Sequence, residues 1–146
     1  MQLNFPTYKF KTKREQDINY VFDIIRKKYV VLTPEEWVRQ HIVHYLITEK
    51  KYPQSLIALE RGLTINGRKK RFDVLVFNKN GQPFLLIECK SPDIEVNKAV
   101  FEQIAVYNSQ FKASYLLVSN GLQHIPVRYS ADFSEYEFLD EVPDFE

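Results

Sequence analysis

RFDVLVFNKNGQPFLLIECK, residues 71–90, decides the fold. Two apolar runs, Arg71–Phe77 and Phe84–Lys90, flank Asn80-Gly81. That dipeptide favours a two-residue hairpin, because both positions tolerate positive φ. The second run stops at Ser91-Pro92, and a third run, Leu56–Ile65, lies upstream and is bounded by Asn66-Gly67. The three runs therefore read as an antiparallel meander. VLVF and FLLIEC are apolar on successive residues, which predicts a sheet covered on both faces.

The turns also predict a register. A two-residue turn at Asn80-Gly81 sets Lys79 opposite Gln82, Phe77 opposite Phe84, Leu75 opposite Leu86 and Asp73 opposite Glu88. A two-residue turn at Asn66-Gly67 sets Glu60 opposite Asp73. Glu60, Asp73 and Glu88 would then form one row across three strands, with opposed Cβ atoms about 5 Å apart. Like charges opposed on a sheet repel. The row makes sense around a cation, and oxygen ligands suit Mg²⁺, Ca²⁺ or Mn²⁺. Alternation puts Lys90 on the same face as Glu88 and turns Cys89 away. An ammonium beside a metal site is the equipment of metal-assisted phosphodiester hydrolysis, in which a water acidified by the metal attacks and the cations hold the charge.

Working outward, Thr33-Pro34-Glu35-Glu36 is a helix start. Thr33 is the N-cap, Pro34 is N1, and Glu36 closes a capping box. Trp37, Val38, His41, Ile42, Tyr45 and Leu46 follow at helical spacing, so the helix runs to about Lys50. Residues 95–110 read as a second helix, Ser114–Ser119 as a buried strand and Glu135–Leu139 as an edge strand. Residues 15–31 read as a short helix or the start of a strand.

At 146 residues the chain has the length of one domain, with residues 1–32 as a basic extension, 33–122 as the core and 123–146 as an acidic segment. Apolar residues make up 45% and charged residues 27%, which excludes a disordered chain. The net charge of +1 advertises neither nucleic acid nor membrane. Charge placement is more informative. Lys9, Lys11, Lys13, Arg14, Arg26, Lys27 and Lys28 make the front basic, Arg68, Lys69, Lys70 and Arg71 form a second cluster, and acids accumulate after Arg128. A basic face of this kind suits phosphates; alternatively the two ends are solvated faces of opposite sign. The one cysteine, the absence of an apolar leader in MQLNFPTYKFKTKR and the lack of a membrane-length apolar run predict a cytoplasmic protein.

Each candidate also has an ordinary structural use. Asp73 and Glu88 can pair with Arg71 and Lys90 at strand ends, Glu60 can be solvated at an edge, and Cys89 can be a small core residue. His41 and His44 can pack on the first helix. His124 falls in an expected loop with no evident partner.

Arg71-Phe72-Asp73 and, fifteen residues beyond Asp73, Glu88-Cys89-Lys90 resemble the PD-(D/E)XK nuclease superfamily. More narrowly, the chain resembles the N-terminal nuclease domain of type I restriction enzyme R subunits. The likeness is carried by Glu36-Trp37-Val38-Arg39-Gln40, Asp73, Glu88-Cys89-Lys90, Gln103 with Tyr107, and Val118-Ser119-Asn120-Gly121, spanning about residues 33–122. It implies an α/β, restriction-endonuclease-like fold: a central mixed sheet, built from the antiparallel meander plus a further strand, flanked by helices. It implies Asp73 and Glu88 as ligands of Mg²⁺ (or Mn²⁺), with the Cys89 carbonyl nearby and Lys90 as the catalytic lysine. Glu36 would act through a water on the metal or as an extra ligand; the register read above, not the resemblance, adds Glu60 as an additional acid. Gln103 and Tyr107, four apart on one helix face, would orient Lys90 or touch DNA. The Pro of the family name is replaced by Phe72, which costs no chemistry. No GxxxxGK[ST] phosphate loop is present, so the expectation is a stand-alone DNA endonuclease, with Arg68–Arg71 and Lys9–Arg14 on phosphates. It would cut as a homodimer or take a motor or specificity partner in trans, and would have no membrane association. The rival readings are a non-catalytic nucleic-acid-binding or assembly module on the same fold, and a small α/β protein whose carboxylates bind Ca²⁺ structurally.

Overall fold

The computed structural model describes residues 2–146. Thr12–Glu15 (β1), Ile18–Asp23 (β2) and Lys28–Val31 (β3) form a small antiparallel meander. Residues 15–31 are thus not helical: Tyr20, Val21, Phe22, Tyr29, Val30 and Val31 are the β-branched and aromatic residues that favour strands. Pro34–Thr48 forms a helix (α1), followed by a single 3-10 turn at Gln54–Leu56. Ile57–Ile65 (β4), Arg68–Phe77 (β5) and Pro83–Cys89 (β6) come next, then the helix Lys98–Asn108 (α2). Tyr115–Ser119 (β7), His124–Tyr129 (β8) and Tyr136–Phe138 (β9) complete the chain. Strands β4 to β9 form one six-stranded sheet in sequence order. Only β6 and β7 are parallel, and α2 is their crossover.

Alternation separates two cores. Val74, Val76, Leu85, Ile87 and Cys89 pack against Val38, Ile42, Val43 and Leu46 of α1. Leu75, Leu86, Leu116 and Val118 pack against Phe101 and Ala105 of α2 on the other face. The apolar runs are therefore covered on both sides. The expected core boundary at 122 does not hold. Strand β8, which contains His124 and Pro126, pairs with β7, and Val142 and Phe145 join the core under α1. Pro126 and the preceding Asn120, Gly121, Gln123 and His124 hide this strand from a reading by propensity.

Helix α1 starts as its sequence dictates, with Thr33 Oγ1 accepting the Glu36 N–H at 3.0 Å. The reciprocal half of the capping box is not made. The Thr33 N–H donates to the Val31 carbonyl instead, and the Glu36 side chain turns inward. On the flank of α1, Phe5 and Phe10 of the N-terminal segment stack on Trp37, His41, His44 and Tyr45. Both histidines are packed, and burial pushes His41 below its ordinary pKa.

The two turns differ. Asn66 and Gly67 both have positive φ (51° and 77°), so β4–β5 is the tight turn expected. The second loop has three residues, Lys79-Asn80-Gly81, with the Gly81 N–H donating to the Asn78 carbonyl and the Asn78 N–H to the Gln82 carbonyl. This pairs Phe77 with Pro83, not Phe84. A bulge at Phe84 then returns the ladder to Val76–Leu85, Leu75–Leu86 and Val74–Ile87, the register read from the sequence. The loop and the bulge cancel before the acidic end of the strands is reached.

Candidate functional site

One residue beyond Val74–Ile87, the β5–β6 ladder ends and Asp73 comes beside β6. The Asp73 carboxylate takes over from the backbone there, with Oδ2 accepting the Cys89 N–H at 2.8 Å. On the opposite side, β4 pairs with β5 through Leu59–Val74 and Arg61–Phe72, leaving Glu60 beside Asp73 without a ladder bond. Glu60 has φ of 45°, a left-handed conformation that a Glu adopts at a cost on the order of 1 kcal/mol or more. Phe72 packs with the α2-side core, as Leu75 does, so alternation breaks across Asp73. The distortion lies where the carboxylates gather.

Glu60, Asp73 and Glu88 line one cleft of about 370 Å³, together with Arg71, Gln103 and Tyr107. Lys90 Nζ lies 3.5 Å from Glu88 Oε2. Burial raises the pKa of Asp73, opposed by the Cys89 N–H and by Arg39 and Lys90. Burial and then the Asp73 charge push Glu88 up to about 7, with Lys90 opposing. Two half-hidden acids whose pKa values are raised, Glu88 by burial and the Asp73 charge and Asp73 by burial and the Glu60 charge, are short of positive charge. The Cys89 side chain is buried in the α1-side core, as alternation predicts, and burial pushes its thiol well up. Its backbone, joined to Asp73, is the part that belongs to the cleft.

Glu36 is almost buried, and both of its oxygens are engaged. Oε1 accepts from Arg26 Nη2 at 2.9 Å and Arg39 Nη1 at 3.4 Å, and Oε2 from Gln40 Nε2 at 3.1 Å. Arg39, 3% exposed, also reaches Glu60 Oε1 at 3.4 Å and Asp73 Oδ1 at 3.8 Å. Burial works against its charge, but Glu36 and its acidic neighbours hold its pKa above the ordinary value. Arg26 bridges Asp23, Glu36 and Glu60. Residues Arg26, Arg39, Gln40 and the buried Asp23 therefore connect α1 and β2 to the cleft, and the sequence did not single them out for this. One signal was present: Arg39 and Gln40 stand three and four residues after Glu36, on the same face of α1.

Gln103 and Tyr107 are exposed on the α2 wall. Tyr107 Oη donates to the Arg71 carbonyl at 3.4 Å, and Lys70 Nζ sits 5.6 Å from its ring centroid. No hydrogen bond joins Gln103 to Lys90 among the described residues. Arg68–Arg71 occupy the start of β5, so alternation splits them between the two faces. His124, on β8, bonds Ser119 Oγ through Nδ1 and the Asn4 carbonyl through Nε2.

Among the described residues, no three His, Cys, Asp or Glu side chains are grouped to hold a metal. The Asp73 and Glu88 carboxylates remain as hard oxygen donors. That set fits Mg²⁺, which is commonly held by one or two carboxylates and keeps several waters. Among the same residues, no helix is long and apolar enough to cross a membrane.

No curated protein matches the sequence. A solved structure described as a fragment of a putative HsdR subunit of a type I restriction enzyme from Vibrio vulnificus YJ016 shares the fold. It has TM-score 0.54 and 18% identity, covering 77% of this chain. The chain spans 24% of the length of that structure. A family model described as the type I restriction enzyme R protein N terminus matches residues 34–143, from the start of α1 to beyond β9. That match covers well over half of the 146 residues, and the protein therefore belongs to the type I restriction enzyme R protein N-terminal (HSDR_N) family.

Proposed function

We propose that this chain is a Mg²⁺- or Mn²⁺-dependent DNA endonuclease domain of restriction-endonuclease-like, PD-(D/E)XK type, acting in restriction within the cytoplasm. The observation that carries this reading is the cleft in which Asp73 and Glu88, on neighbouring strands, stand beside the Lys90 ammonium. Asp73, Glu88 and the Cys89 carbonyl would hold the divalent ion. When bound, that ion supplies Lewis-acid polarisation of the phosphate and lowers the pKa of a water.

The protein's own groups do the rest. The Cys89 N–H holds Asp73 Oδ2 while Arg39 stands 3.8 Å from Oδ1, which fixes the carboxylate at the cleft. Lys90 is held by Glu88, where it neutralises charge that builds on the phosphate in the transition state. Glu36 is a positioning residue in this scheme. It fixes Arg39 and Arg26, which in turn hold Asp73 and Glu60 apart from one another's charge. Arg71, the member of the basic run that lines the cleft, contacts backbone phosphates, and Gln103 and Tyr107 bound the substrate from α2. Phosphate contacts of this kind position a duplex without reading its sequence, so sequence choice falls to a specificity or motor partner in trans. A homodimer would cut both strands.

Incubation of the purified protein with supercoiled plasmid tests the reading. Nicked or linear product is expected with Mg²⁺ or Mn²⁺, none with EDTA, and none from Asp73→Ala or Lys90→Ala. Cleavage that survives unchanged in both variants removes the assignment. DNA affinity without cutting under any metal marks the protein as a binding module instead.

A further inference from the structure

The three-stranded sheet β1–β3 is not used by the reading above. Its rows are built from lysines and aromatic rings. Lys13, Tyr20 and Val31 lie in one cross-strand row, and Phe22 pairs with Tyr29 in the next, with the Phe22 N–H donating to the Lys11 carbonyl. Lys13 Nζ stands 4.4 Å from the Tyr29 ring centroid, and Lys11 Nζ stands 5.1 Å from that of Phe22. The rings are half-buried and Val31 is exposed. Lys13 has an exposed acid partner, Glu15, at 3.2 Å. Lys9, Lys11, Lys27 and Lys28 have no ion-pair partner among the described residues. Unneutralised amines beside flat rings complement a chain of phosphates and bases.

The position of this face adds to its composition. Tyr20, Tyr29 and Lys28 line a groove of about 870 Å³ whose other wall carries Arg26, Arg39 and Glu60. Glu60 also lines the carboxylate cleft. Glu60 is thus common to the groove and the candidate catalytic cleft, and the groove sets Arg26, Lys28 and Arg39 beside Glu35, Glu36 and Asp93.

We propose that the β1–β3 face is a binding platform for unpaired nucleic acid, which leads a single strand past Glu60 into the cleft. This rests on the nuclease reading for its purpose but not for its measurement. Phosphates would draw Lys11 and Lys13 off the rings they cover, and the uncovered faces of Tyr29, Phe22 and Tyr20 would stack bases. Stacking of this kind requires bases that are not already paired in a duplex, which selects a single strand.

The test is fluorescence anisotropy of a labelled oligo-dT of about 12 nucleotides, a length within the usual site size, titrated with the full chain in EDTA across a salt series. The double variant Lys11→Ala/Lys13→Ala is expected to bind more weakly and to flatten the slope of log K against log salt by about 1.4, since each lost phosphate contact removes about 0.7 on a single strand. Tyr29→Ala is expected to lose about tenfold in affinity, the size of one base–aromatic stack, while Tyr29→Phe retains it. Circular dichroism melts of each variant show whether the small sheet is still folded. If folded Lys11→Ala/Lys13→Ala and Tyr29→Ala bind oligo-dT as the parent does, the platform is refuted. If a duplex of the same length binds more tightly with the same losses, the surface serves paired DNA and the single-strand assignment is overturned. Asp73→Ala separates the two readings. It is expected to abolish metal-dependent cutting and leave oligo-dT binding intact, so loss of either behaviour in the parent protein counts against one reading alone.

Discussion

Arg39→Met would remove the buried guanidinium that faces Glu36, Glu60 and Asp73 while keeping its hydrophobic length. Breaking a buried ion pair from one side costs about 3–5 kcal/mol, because the partner charge is left uncompensated. Here the loss is smaller. Glu35 and Glu60 are nearly half-exposed, at 45% and 46%, so water takes over much of their solvation. Arg26 still holds Glu36 at 2.9 Å. The uncompensated remainder is mainly Asp73 and one side of Glu36, about 2–3 kcal/mol, or a fall of roughly 6–9 °C in Tm for a chain of this size. The cost also depends on pH. Burial already raises the Asp73 pKa, and losing Arg39 raises it further. An acid whose folded pKa lies above its unfolded value destabilises fully only above the folded pKa, and the penalty vanishes below the unfolded one, near ~4. The deficit is therefore expected to be largest at pH 8 and to shrink toward pH 5. Urea denaturation of both proteins at the two pH values measures it. A loss under about 1 kcal/mol at pH 8, the size of an ordinary substitution, or an equal loss at both pH values, would refute the reasoning.

Glu88 gives a related outcome. With its pKa pushed up to about 7, ionised Glu88 burdens the fold above that pH and not at pH 4, so Glu88→Gln is expected to raise stability by about 1–3 kcal/mol at pH 8 and leave it unchanged at pH 4. Mg²⁺ is expected to raise the parent's Tm at pH 8 and not that of Glu88→Gln, as differential scanning fluorimetry with and without EDTA would show. Gly121 has φ of +88°, and an added Cβ would lie 2.9 Å from Leu3 Cδ2 and 3.1 Å from Val38 Cγ2, so Gly121→Ala is expected to cost about 2 kcal/mol by chemical denaturation. Tyr52, 2% exposed, donates from Oη to the Pro143 carbonyl at 2.5 Å. Tyr52→Phe is expected to cost about 1–2 kcal/mol and to speed proteolysis of the C-terminal segment, read by timed digestion and mass spectrometry.

Local chemistry carried much of this architecture. Asn66-Gly67 set a turn that kept its register along all of β4–β5, because a two-residue turn with both φ positive leaves the strands no slack. Thr33-Pro34 fixed the start of α1 through effects that span three residues. The apolar runs of β5 and β6 announced a sheet covered on both faces, since each residue must find a partner layer. Asp73 and Glu88 came to one cleft although the turn between them gained a residue, because the bulge at Phe84 restored the register before the acidic end of the strands. Family membership was legible too, from the order of Glu36, Asp73, Glu88-Cys89-Lys90 and Gln103 along the chain.

Tertiary structure decided what depends on distant partners. The second turn adopted three residues and a compensating bulge, a choice between loop geometries of similar energy that the packing of Phe84 on Tyr52 and Tyr115 accompanies. Strand β8 formed despite Pro126, because an adjacent β7 offered a ladder. Glu36, which local rules send back to its own N-cap, was drawn inward by Arg26 from a sheet that the sequence left undefined. Arg39 drew its partners from β4 and β5 as well as from its own helix. Short-range sterics and periodicity are written into neighbouring residues, and so the sequence alone determined strands β4 to β7, the first turn and the helix start. Long-range electrostatics needs the positions of charges many residues apart, and only the folded chain supplies those.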